Sequence, residues 1–147
     1  MAQQGPRIFR PSEIPAVSRG GGVKTIPLLT RKTGARSFIN GITIFPPLGS
    51  VPLHKHNCDE SVLVLEGNAV AEISGDEHAV AQGDVTAIPE GVHHRFRNVS
   101  DTEELKILWT YASIDADRTI IATGETRRID DEHSAPADGA LRPGAAG

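Results

Sequence analysis

The sequence predicts an all-β domain, a sandwich or a small barrel, and three observations carry that prediction. Apolar and β-branched residues come in short runs, several with a two-residue period. Gly, Pro, Asn and Asp punctuate these runs at regular spacing. Helical periodicity is weak throughout the 147 residues. A chain of this length suits one domain with a real hydrophobic core.

The first stretch, 1–22, holds Pro6, Pro11, Pro15 and the run Arg19–Gly22. It reads as an N-terminal arm with at most one short strand, Arg7–Arg10. The barrel region follows over 23–114. Its strands are expected at Val23–Thr30, Arg36–Phe45, Glu60–Gly67, Ala69–Ser74, Asp84–Pro89, His93–Val99 and Leu105–Ser113. In the last of these Leu105, Ile107, Trp109 and Tyr111 share one face. Ser74–Glu77 reads as a hairpin turn. Asp115–Glu125 is the best helical candidate, within a C-terminal extension over 115–132. The stretch 133–147 is small, Gly- and Pro-rich and nearly free of large apolar groups, which predicts a flexible tail.

Composition excludes several partners. Net charge is −4, with 15 basic and 19 acidic residues. No basic cluster offers a footprint for nucleic acid or an anionic membrane. The single cysteine, Cys58, forms no internal disulfide. The first residues lack an apolar signal-peptide core, and no run is long enough to span a bilayer. These features predict a soluble, cytoplasmic protein.

The chemistry concentrates in "LHKHNCDESVLVLEGN", Leu53–Asn68. Pro46, Pro47 and Pro52 keep the segment before it out of a helix. On extended backbone His54 and His56 point to one side. Glu60 returns to the same place after the short loop of Asn57, Cys58 and Asp59. In "HHRFRN" only one of His93 and His94 can face inward. His93 shares its face with Arg95 and Arg97, which prefer water, so the inward residue is His94, with Phe96 and Asn98. Three imidazoles and a carboxylate suit Fe(II), Mn(II), Ni(II), Co(II) or Zn(II), and do not suit Ca(II) or Mg(II). Cys58, whose thiol offers a metal loop a soft ligand, a nucleophile or a redox sensor, reads as a small half-buried side chain, because the nitrogen and oxygen set is already complete. Asn57 and Asp59 read as loop formers.

These residues resemble the cupin family in both of its motifs. Gly49, His54, His56, Glu60 and Gly67 fit the first, with one residue fewer than usual between Gly49 and His54. Gly83, Pro89, Gly91, His94 and Asn98 fit the second without deviation. The fifteen residues between Gly67 and Gly83 resemble the spacing in small single-domain cupins. The resemblance covers about residues 36–113. It implies a conical antiparallel β-barrel (a double-stranded β-helix, or jelly-roll) with a metal held by His54, His56, Glu60 and His94. It also favours a homodimer, to which an arm strand pairing with a second copy would contribute.

The pleat places Val62 and Val64 on the face of Glu60, and Phe96 on that of His94. Further wall candidates are Phe38, Ile42, Ile44, Trp109 and Tyr111, whose strand parity stays open. Arg36 and Tyr111 are candidate anchors for an anionic substrate. No second acid or base faces the metal, so the chemistry is expected to rest on the metal itself. The leading expectation is an Fe(II) dioxygenase acting on a small, largely apolar molecule. The alternatives are a Zn-, Ni- or Mn-dependent isomerase, cyclase or lyase, and a non-catalytic module that binds a small ligand. Val62 and Val64 stand where some cupin lyases place a tyrosine, which weighs against a lyase of that type.

Overall fold

The structure is a computed structural model and describes residues 5–133. Twelve strands form two antiparallel sheets of six. In chain order the first are β1 (Val17–Gly20), β2 (Val23–Pro27), β3 (Ile39–Phe45) and β4 (His54–Lys55). Next come β5 (Glu60–Glu66), β6 (Asn68–Ile73), β7 (Asp76–Ala81) and β8 (Val85–Ile88). The last are β9 (His94–Asn98), β10 (Leu105–Tyr111), β11 (Asp117–Ile120) and β12 (Thr126–Arg128), followed by a short helix α1 (Ile129–His133). One sheet runs β1-β2-β3-β10-β5-β8 and the other β12-β11-β4-β9-β6-β7. This is the jelly-roll barrel expected from the motifs.

Pleat and register decide what lies between the sheets. In β10, Leu105, Ile107, Trp109 and Tyr111 are all buried, while Lys106, Leu108 and Thr110 are only partly so. Across from β10, Phe45 pairs with Leu105 and Thr43 with Ile107. Phe45 and Leu105 are at most 1% exposed, and burying side chains of that size stabilises the fold by roughly 1.5–3 kcal/mol each. Trp109 lies opposite Gly41, where a Cβ would stand 2.5 Å from the indole Cζ2. The absent side chain is what gives the indole its place. The turn Ser74–Gly75 joins β6 to β7 with φ of 52° and 86°, the left-handed pair that two-residue hairpins require.

Two expectations about the ends need correction. Arg7–Arg10 carries no strand; the arm's strand is β1, which pairs with β2 of the same chain. Asp115–Glu125 is not helical but contains β11 and the turn towards β12. Thr119 and Ile120 pair with Lys55 and His54 there, so sheet pairing overrides a thin helical pattern. The stretch read as a tail, 133–147, lies outside the described residues apart from His133, which ends α1. No helix among the described residues is long and apolar enough to cross a membrane.

Candidate metal centre

Strand pairing brings the three histidines together. His54 in β4 sits directly opposite His94 in β9. His56 follows two residues after His54 on the same side, and Lys55 between them is more exposed. All three imidazoles are buried, at 5%, 4% and 1% exposure for His54, His56 and His94. One ring nitrogen from each lies within 4.8 Å of the others. His93 is exposed, as the pleat argument required.

Each ring is oriented by the backbone. His54 Nδ1–H donates to Pro52 O at 2.6 Å, His56 Nδ1–H to Asp117 O at 2.8 Å, and His94 Nδ1–H to Val92 O at 2.9 Å. These bonds put a proton on each Nδ1 and turn the other ring nitrogen, Nε2, towards the common centre. Such second hydrogen bonds are what orient metal-ligating histidines. Burial pushes His54 well below its ordinary value, and Arg118 and the other two imidazoles push it in the same direction. His54 is therefore neutral, the form that binds metal.

Glu60 opens β5 and completes the group. Its Oε1 stands 2.8 Å from His94 Nε2 and 3.4 Å from His56 Nε2. Burial alone would raise the Glu60 carboxyl, but His56 and His94 outweigh it and hold the group well below the usual carboxylate range. A carboxylate thus faces two ring nitrogens, acceptor against acceptor wherever a ring Nε2 carries no proton. Only a cation between them, either a proton or a metal ion, removes that repulsion. The donor set fits a divalent metal of borderline softness.

The loop and turn around the centre hold it in place. Gly91 N–H donates to His56 O at 3.0 Å, at a φ of 81° that a side chain would strain. Asp59 accepts from Glu90 N–H at 2.8 Å, while Asn57 bonds the backbone of Asp115 and Asp117 at 3.1 and 2.9 Å. The loop formers thus tie the ligand loop to distant strands. Cys58 is buried and its thiol is pushed up to about 11, mainly by burial. It is an inert packing residue.

A cavity of about 30 Å³ adjoins His54, Glu60 and His94, room for about one water molecule. Phe96, Trp109 and Tyr111 line it, with Thr43 and Phe45. The remaining wall candidates lie elsewhere. Val62 and Val64 are buried on the face of Glu60 but do not line this cavity. Each two-residue step along a strand moves about 6.6 Å away from the centre. Thr43 faces inward, so Ile42 and Ile44 face the other way. Phe38 is 43% exposed, and Arg36 is exposed in the loop before β3.

Sequence reasoning missed the charged part of this wall, Arg19 of β1 and Arg118 of β11. Local sequence does not mark them: Arg19 stands between Ser18 and Gly20, and Arg118 between Asp117 and Thr119, and of these neighbours only Thr119 favours a strand. Tyr111 packs on the His56 ring with centroids 4.5 Å apart. Burial raises its hydroxyl well above the ordinary value, with Glu60 adding to this and Arg118 opposing it.

A jelly-roll barrel with a buried histidine triad and a carboxylate at its centre defines a class, and the comparisons with known proteins assign it. A family model described as "Cupin domain" matches residues 41–111. The polyketide synthase CurC of Streptomyces cyaneus is 36% identical over 106 residues, covering 70% of this chain and 68% of that protein. The protein SchB of Streptomyces halstedii is 31% identical over 104 residues, covering 70% and 75%. Among solved structures, the polyketide cyclase RemF from Streptomyces resistomycificus superposes with a TM-score of 0.68 at 18% identity, covering 90% of this chain and 96% of that one. The chain belongs to the cupin family, as a small single-domain member.

Proposed function

We propose that this chain is a metal-dependent enzyme acting on an enolisable, polyketide-like carbonyl compound, with cyclisation or a related carbon-skeleton rearrangement as its reaction. The observation that carries the metal-dependent reading is the convergence of the His54, His56 and His94 ring nitrogens, within 4.8 Å of one another, with the Glu60 carboxylate 2.8 Å from His94 Nε2 and 3.4 Å from His56 Nε2. The substrate class is supported by the likeness to CurC, whose name is that of a polyketide synthase. RemF lends only its fold.

In this reading His54, His56, His94 and Glu60 hold a divalent transition metal, with Fe(II), Zn(II), Ni(II), Mn(II) and Co(II) all compatible with the donors. When bound, such an ion supplies Lewis acidity that polarises a carbonyl or stabilises an enolate. The protein does the rest. Tyr111 keeps its proton and presents a neutral hydroxyl, which orients a substrate oxygen by donating to it. Phe96 and Trp109 restrict water around the reacting end. The tight cavity admits only that end of a larger molecule.

A second reading, the Fe(II) dioxygenase, is supported by the mixed nitrogen and oxygen donors, which suit Fe(II). Turnover of a poly-β-carbonyl substrate in air and under strict anaerobiosis separates the two. Equal rates support cyclisation; dependence on oxygen, with oxygen atoms found in the product, overturns it. A homodimer belongs to the same proposal, supported by exposed apolar residues such as Ile8, at 75% exposure. Because β1 serves the chain's own sheet, the truncation that tests the arm is removal of residues 1–14, read by sedimentation.

A further inference from the structure

Beside the histidine centre lies an ion cluster made by the two ends of the described chain. Arg19 Nη2 donates to Glu132 Oε1 at 2.9 Å, and Arg118 Nη1 stands 3.2 Å from that same oxygen. Arg19, Arg118 and Glu132 are 5%, 8% and 8% exposed at the side chain. Arg19 and Arg118 are both among the residues lining the cavity that His54, Glu60 and His94 also line. Two buried cations thus share the Glu132 carboxylate, and the Glu60 carboxylate lines the same cavity. Arg118 Nε is buried with no hydrogen-bond partner among the described residues. An unpaired buried donor on a cation is costly unless an anion completes it.

We propose that Arg118 and Arg19 form an anion subsite next to the metal centre, and that the Glu132 carboxylate, which pairs with both in the free protein, competes for them with an anionic oxygen on the ligand. The chemistry recognised is that of a planar organic oxyanion, a carboxylate, phenolate or enolate, for which guanidinium offers a matching fork. This rests on the proposed function and sharpens its substrate class: an apolar molecule with an anionic oxygen at the reacting end. Tyr111, hydrogen-bonded to Arg118, links the subsite to the ring of His56. Ligand binding displaces Glu132, which rides on the short α1 at the edge of the barrel. The network Arg19–Thr25–Thr43–Trp109, with bonds of 3.3, 3.1 and 2.9 Å, connects the same subsite to the sole tryptophan. That gives an optical readout.

The test is a titration with salicylate followed by Trp109 fluorescence, on the full chain as purified and again after chelation. Salicylamide serves as the neutral control. In the wild type salicylate should bind at least tenfold more tightly than salicylamide. Glu132→Gln, which removes the internal competitor, should tighten salicylate at least threefold, and Arg118→Gln should weaken it at least tenfold. Neither change should alter salicylamide. Equal wild-type affinity for the acid and the amide overturns the proposal whatever the variants do. So does a folded Glu132→Gln protein that binds salicylate no better, because losing a carboxylate that merely ties Arg19 to Arg118 lowers only the melting temperature. Arginine-dependent salicylate binding that survives chelation, in a protein without turnover, sinks the enzymatic reading and leaves the subsite standing.

Discussion

Asn98→Ala tests whether the last motif position holds the barrel together or serves the site. Asn98 is 3% exposed. Its Nδ2 donates to Pro46 O at 3.0 Å and Glu103 O at 2.8 Å, and its Oδ1 accepts from Ser100 N at 3.0 Å. One side chain thus joins the loop after β3 to the loop before β10. At about 1 kcal/mol net for each of these bonds, alanine costs about 3 kcal/mol, and more where the carbonyls stay dry. For a domain of this size that lowers the melting temperature by about 6–12 °C. Calorimetry measures the drop, and elemental analysis of the folded variant should show wild-type metal. A drop below about 2 °C, or metal loss from a protein that melts like wild type, would refute the structural role.

Other outcomes follow from the same geometry. Gly41→Ala drives a Cβ to within 2.5 Å of Trp109 Cζ2. It should destabilise by about 1–3 kcal/mol and shift the tryptophan emission, whereas unchanged emission and melting would contradict the observed register. Cys58 should resist iodoacetamide at pH 8 in the folded protein and react once it is unfolded, since burial pushes its thiol up to about 11. With the folded value above the unfolded one, the neutral thiol's contribution to stability is present below the ordinary thiol range and lost as pH rises towards about 11. The melting temperature of wild type should therefore fall more steeply than that of Cys58→Ala across that window, and parallel curves would contradict the burial effect.

The parts of the site that could be read from sequence were those with a local anchor. The prolines before His54 enforced extended backbone, and the arginines flanking His94 fixed which face was wet. Two-residue periodicity then did the rest, including the burial of Trp109 and Tyr111. Ile44 and Phe38 had no such anchor, because β3 is apolar on both faces and Ile42 is buried on the outer one. Arg19 and Arg118 were out of reach for another reason. Their significance lies in Glu132, which is 113 residues from Arg19, and no local pattern encodes an ion pair across that distance. β11 is only four residues long and owes its conformation to pairing with β4, so its sequence alone carried little signal.

The central claim is that His54, His56, His94 and Glu60 hold a divalent metal, and metal content of the purified chain tests it most directly. Elemental analysis after expression in metal-supplemented medium should find one of Fe, Zn, Ni, Mn or Co equimolar with protein. His56→Ala and Glu60→Ala should lose it, and His93→Ala should keep it. A wild-type protein without metal, or one that gives it up with His93→Ala but not with His56→Ala, would contradict the account.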